Sequence, residues 1–196
     1  MRTKHAIAPL AILLLIAWNC GPPPAPPAPG EARGALPDLR GASVMVFPVQ
    51  LKSSVPGGVL ADAELAHALR TRGEGVSWVF ADEMDEILAR SPGVPAQIRG
   101  LPVQMFLQAE VDRVGDPLFG HLLRMGALTG ADVALLPVEL KYGEGEAYLI
   151  SAALIGIRTG HVIWYGVLEG DPGEPRHPAT LASATERLAR ALLPFG

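Results

Sequence analysis

Ala147-Tyr-Leu-Ile-Ser-Ala-Ala-Leu-Ile-Gly-Ile157 is the stretch that decides the fold. It is rich in strand-forming residues and apolar at both parities, with Leu149, Ala153 and Ile155 on one face and Tyr148, Ile150 and Leu154 on the other. A strand of this kind must be covered on both sides, so the sheet it belongs to carries helices on both faces. A glycine-containing turn, Tyr142 to Glu146, precedes it. Before that turn, Asp132-Val-Ala-Leu-Leu-Pro-Val-Glu-Leu140 reads as a partner strand. After it, Arg158-Thr-Gly-His161 reads as a tight turn into a further strand, Val162 to Leu168. Pro137 cannot donate to a strand ladder, which predicts a bulge there and a similar one at Pro48.

Working outward, the remaining elements alternate. Ser43 to Val49 and Val76 to Phe80 are short apolar runs with strand character, and between them Leu60 to Arg72 is alanine-rich with Leu65 and Leu69 four apart. Asp82 is placed to cap a helix that puts Met84, Ile87 and Leu88 on one face. Val103, Phe106, Leu107, Val111 and Val114 fall at helical spacing. Gly115-Asp116-Pro117 is compact punctuation before a helix with Leu118, Leu122 and Met125 inward and Gly130 at its end. Pro178 opens a last helix with Leu181, Thr185, Leu188 and Leu192 in register. The reading is a single α/β domain over residues 41 to 196, with a mixed sheet of about five strands in the order β-α-β-α-α-β-β-β-α.

The amino-terminal region is of another kind. Arg2 and Lys4 lead into an apolar run, Ala6 to Trp18, which ends at Cys20, the only cysteine, and Gly21-Pro-Pro-Pro-Ala-Pro-Pro-Ala-Pro-Gly30 follows at once. A basic start, a short apolar stretch and a processing point are what an export signal needs. The apolar stretch is shorter than the roughly 20 residues a spanning helix requires and contains Pro9. Residues 1 to 19 are therefore expected to be a signal peptide. Cys20 sits where a bacterial lipoprotein carries its acylated first residue, and acylation would also remove a thiol that has no partner for an internal disulfide. Residues 20 to 40 then read as a lipidated cysteine and a proline-rich tether. In extended polyproline form, at about 3.1 Å per residue, such a tether reaches on the order of 60 Å. The expected location is the cell envelope, lipid-anchored at the outer membrane and facing the periplasm.

Charge narrows the partners. The chain has 16 basic residues, of which Arg2 and Lys4 lie in the leader, and 20 acidic ones, so the processed chain has a net charge of about −6. With no basic stripe, neither nucleic acid nor direct headgroup binding is expected.

The order of elements, together with Phe47-Pro48, Thr129-Gly-Ala-Asp-Val-Ala-Leu-Leu136 and Ile157-Arg-Thr-Gly-His-Val-Ile-Trp164, resembles a group of envelope domains. The group comprises the amino-terminal domain of the translocation protein TolB, the lipoprotein activators of penicillin-binding proteins, and the curli-secretion lipoprotein. Thr159, Gly160 and Trp164 match the turn and tryptophan typical of it, while Gly156 stands where an aspartate is usual. The resemblance implies a TolB amino-terminal-like fold with no active site to carry over.

Candidate chemistry elsewhere is sparse. His121, His161 and His177 are scattered without metal-ligand spacing, so no metal is expected. Ser53-Ser54 before Pro56-Gly-Gly58 lacks both the nucleophile-elbow and the phosphate-loop patterns. Asp82, Glu83, Asp85 and Glu86 read as a solvated helix start, and Glu110, Asp112 and Asp116 as surface acids. No catalytic residue and no cofactor are expected. The function read from the sequence is a non-enzymatic, membrane-anchored lipoprotein that acts as a protein-interaction or assembly module on an envelope partner. The alternative is an exported enzyme or small-ligand carrier. Leu101, Val103, Phe106 and Leu107 lie in a long insertion and are either part of the domain's own core or an exposed partner surface.

Overall fold

The structure, a computed structural model, describes residues 24 to 143 and 145 to 194. The expected signal peptide and Cys20 lie outside the described residues. Seven strands are seen: β1 (Ala32–Gly34), β2 (Ser43–Val46), β3 (Leu51–Ser53), β4 (Ser77–Val79), β5 (Val133–Tyr142), β6 (Tyr148–Gly156) and β7 (Val162–Glu169). The helices are α1 (Ala61–Arg72), α2 (Ala81–Arg90), α3 (Met105–Gln108), α4 (Leu118–Thr129) and α5 (Pro178–Leu192). Among the described residues no helix is long and apolar enough to cross a membrane.

The strands form one mixed sheet in the order β1-β7-β6-β5-β2-β4, with β3 also on β5. The long runs that decided the sequence reading form its centre, an antiparallel meander of β5, β6 and β7. β2 and β3 lie parallel to β5, and β4 parallel to β2. The sheet thus has more strands than the five expected. The first apolar run is strand only to Val46; at Pro48 the ladder is interrupted where a bulge was expected, and β3 follows from Leu51, while β1 adds a strand at the far edge. At Pro137 the expected bulge is present as a register shift between Pro137 and Glu139.

Period-two alternation splits the core into two layers. Val44, Val46, Leu135, Ile150, Leu154 and Trp164 pack with Leu65 and Leu69 of α1 and Leu188 and Leu192 of α5. Met45, Phe47, Leu136, Ala153, Ile155 and Tyr165 face Met84 of α2 and Leu118, Leu122 and Met125 of α4. Helices therefore cover both sides, as the two-faced β6 requires.

Two local details differ from expectation. Asp82 does not cap α2; Phe80 holds that position in extended conformation, and Asp82 sits in the first turn, where its charge complements the helix dipole. The helix expected across Val103 to Val114 is reduced to the single turn of α3. Its later backbone groups are used elsewhere: Val114 N–H donates to the Gly160 carbonyl at 2.8 Å, and Val162 N–H donates to the Asp112 carbonyl at 2.8 Å. These bonds, with a bridge between Arg113 and His161, lay the segment beside the end of the β6–β7 hairpin. That hairpin turns at Gly160, whose φ is +68° and whose N–H donates to the Gly156 carbonyl at 2.8 Å.

Candidate functional site

The segment expected to be a free tether lies on the domain from Pro24 onward. The Gly30 N–H donates to the Val167 carbonyl at 2.7 Å, and the Val167 N–H donates to the Glu31 carbonyl at 3.0 Å. β1 then continues antiparallel to β7, with Ala32 opposite Gly166 and Gly34 opposite Trp164. Glycines make this approach possible. A Cβ on Gly34, whose φ is +90°, would lie 2.1 Å from the Ile163 carbonyl oxygen. A Cβ on Gly166 would lie 2.5 Å from Cζ2 of Trp164 and 3.1 Å from Cβ of Ala32. Beyond β1, Leu39 is buried in the α1/α5 layer.

On the opposite side of β1 the chain crosses the insertion. The Glu110 N–H donates to the Pro24 carbonyl at 2.8 Å, and the Arg33 guanidinium pairs with the Glu110 carboxylate. Pro27 is buried. It lines a cleft of about 310 Å³ with Arg33, Glu110, Asp112, His161 and Tyr165. A smaller cleft of about 160 Å³ lies between Pro26, Pro27, Leu107, Glu139, Lys141 and Tyr165.

The proposed partner cluster divides here. Leu101, Val103 and Phe106 are buried, and only Leu107 reaches the surface, 38% exposed. These residues do not form an exposed patch, because the insertion is fastened down over the sheet. Phe106 stacks on Tyr165 with ring centroids 5.4 Å apart, and the Tyr165 hydroxyl donates to the Phe106 carbonyl at 3.2 Å. Gln50 supplies a second fastening: its Nε2 donates to the carbonyls of Pro48 at 2.7 Å and Ile98 at 2.9 Å, and its Oε1 accepts the Leu101 N–H at 3.0 Å.

A third crevice, about 400 Å³, opens at the carboxyl ends of β2 and β4, where open α/β sheets usually bind ligands. Several of its charged groups are held by other contacts. Arg99 holds Asp85 with two bonds of 2.8 Å, Asp62 accepts the Val49 N–H at 2.7 Å, and the Arg70 guanidinium lies 4.1 Å over the Phe80 ring. These contacts tie the start of α1 to the loop after β2, the end of α1 to the residue after β4, and α2 to the insertion.

The chain has a low-level structural likeness to several solved proteins. The lipoprotein GNA1162 from Neisseria meningitidis is 18% identical, with a TM-score of 0.45 over 78% of this chain and 94% of its own. The PelC dodecamer from Paraburkholderia phytofirmans is 15% identical, with a TM-score of 0.42 over 83% of this chain and 96% of its own. The LpoB C-terminal domain from Salmonella enterica is 18% identical, with a TM-score of 0.42 over 65% of this chain and 81% of its own. No family model and no curated protein matches the chain. At these identities the similarity gives no residue a role.

His121, His161 and His177 lie apart: His121 on α4, His161 just before β7 and His177 just before α5. Among the described residues no group of three metal-ligating side chains is found. Burial, with Arg124 nearby, pushes the His121 pKa down, and its Nδ1 accepts the Gln97 N–H at 3.3 Å. It adds one more hydrogen bond to the same insertion. The sequence carries no signal for Gln50 or for the Arg33–Glu110 pair, because both depend on contacts remote in the chain.

Proposed function

We propose that this chain is a membrane-anchored envelope lipoprotein, acylated at Cys20, whose domain works as a non-enzymatic protein-interaction or assembly module. Residues 1 to 19 are its signal peptide, and the domain faces the periplasm from the outer membrane. The observation that carries the reading is the order of parts along the chain. A basic start and an apolar run end at a lone cysteine, and a proline-rich stretch from it leads directly into a folded domain. The engagement of Asp62, Asp85 and Arg99 in structural bonds supports a binding role over catalysis at the one crevice where this topology favours a ligand.

The test is made in cells. A palmitate analogue fed to cells producing the full chain labels the protein, and Cys20→Ala abolishes the label and moves the protein out of the detergent-extracted membrane fraction. An unlabelled wild-type protein would overturn the anchor. Affinity capture of the tethered form, beside a screen of the soluble domain against hydrolase substrates, separates the interaction role from an exported enzyme.

A further inference from the structure

We infer that the face bearing Pro24, Leu107 and Glu110 lies against the phospholipid surface, so that the domain sits at the membrane and not at the end of a long leash. The inference rests on the acylation of Cys20 proposed above. Its independent ground is where the chain becomes fixed to the domain. Pro24 is already held, through the 2.8 Å bond from Glu110. Only four residue steps separate Cys20 from Pro24, and a fully extended chain spans at most about 3.6 Å per step. The acylated residue therefore lies within about 14 Å of Pro24. The reach on the order of 60 Å expected of a free polyproline tether is not available while β1 stays paired.

That constraint selects a face as well as a height. Pro26 and Pro27 share a cleft with Leu107, Glu139 and Lys141, all on the side of the sheet that carries α2, α3 and α4. Leu107 is one of three large apolar side chains exposed among the described residues. Leu60, another of them, leads into α1 on the opposite layer and so faces away from the bilayer. Charges on the near face come in opposite signs, Arg33 with Glu110 and Glu139 beside Lys141. Anionic headgroups therefore neither attract nor repel it strongly, and the anchor alone sets the contact.

The experiment uses the full-length acylated protein reconstituted into phosphatidylethanolamine–phosphatidylglycerol vesicles that carry a headgroup-linked quencher. A fluorophore is placed on Leu107→Cys, Leu60→Cys or Glu186→Cys; acylated Cys20 does not react with the label. Flotation with the vesicles is scored first, and failure to float overturns the anchor and this inference with it. For protein that floats, quenching at position 107 is expected to be at least twofold stronger than at 60 or 186. Adding Gly34→Val, which sets a Cβ against the Ile163 carbonyl and forces β1 off β7, should bring quenching at 107 down to the level of the other two while flotation persists. Equal quenching at all three positions in the unmodified background, with flotation intact, would overturn the inference and leave the anchor standing.

Discussion

The side-chain amide of Gln50 accepts the backbone N–H of Leu101 at 3.0 Å, although the two residues are 51 positions apart. The same amide donates to the carbonyls of Pro48 and Ile98, so one side chain closes three backbone groups of two loops. Backbone groups in loops that pack on a core need partners, and Gln50 provides them without any secondary structure.

Gln50→Ala removes all three bonds and leaves part-buried backbone groups without partners. A loss of about 2 kcal/mol is expected, which for a domain of this size lowers the melting temperature by about 4–8 °C. Limited proteolysis of the variant should cut within residues 91 to 104 sooner than in the parent protein. An unchanged cleavage pattern would show that the insertion is held by its apolar residues alone.

Gly160→Val should be more damaging. The turn residue has a φ of +68°, and a Cβ there would lie 2.9 Å from the Val114 carbonyl oxygen and 3.0 Å from Cδ2 of Phe119. A β-branched side chain meets both the conformational penalty and the contact, so more than 1 kcal/mol is lost. Thermal denaturation checks this, and Gly115→Ala, with open space around its Cβ, is the comparison.

Phe106→Asp and Leu107→Asp are neighbouring substitutions with opposite expected outcomes. The first buries a carboxylate beneath Tyr165 and should prevent stable folding, at a cost of several kcal/mol. The second places the charge at a surface position and should leave the melting temperature within about 2 °C. Circular dichroism of the two purified proteins separates them.

Asp38 provides a pH marker for the segment that follows β1. The Arg40 side chain bonds its carboxylate, the Arg40 N–H adds another bond, and together they hold the Asp38 pKa down at about 2. A depressed carboxyl pKa favours the folded state above the ordinary carboxylate range, and that contribution is lost as the pH falls toward 2. Both groups are exposed, so the effect on stability is small and screened by salt. In an NMR titration Asp38 should titrate near pH 2, and Arg40→Ala should return it to the ordinary range.

What could be read from the sequence follows from where the stabilising contacts lie. β5, β6 and β7 were legible because their apolar residues continue at both parities, a pattern fixed by burial on two faces. α1, α4 and α5 were legible for the related reason that each presents a single apolar stripe. Val103, Phe106 and Val114 have helical spacing yet belong mostly to a loop. Burial dictates their apolar character, and the hairpin end, Gln50 and Tyr165 dictate the backbone path. β1 was illegible for the opposite reason: Ala32-Arg-Gly34 is exposed and has no apolar alternation, and backbone pairing with β7 holds it. At the candidate site, the anchor proposed at Cys20 is a reading of the sequence alone. Its distance from the domain depended on pairings that no local pattern records.

The pairing of β1 with β7 also makes residues 24 to 40 a latch on stored chain. Residues 24 to 40 are secured to the domain by three ladder positions, the Pro24–Glu110 bond, the Arg33–Glu110 pair and the burial of Leu39. If traction on the domain peeled these contacts, the same residues would pay out about 50 Å of extended chain at about 3.1 Å per residue, without unfolding β5, β6 or β7. For a chain held at a membrane through Cys20, as proposed above, the β1–β7 contact is thus a mechanical fuse placed outside the core.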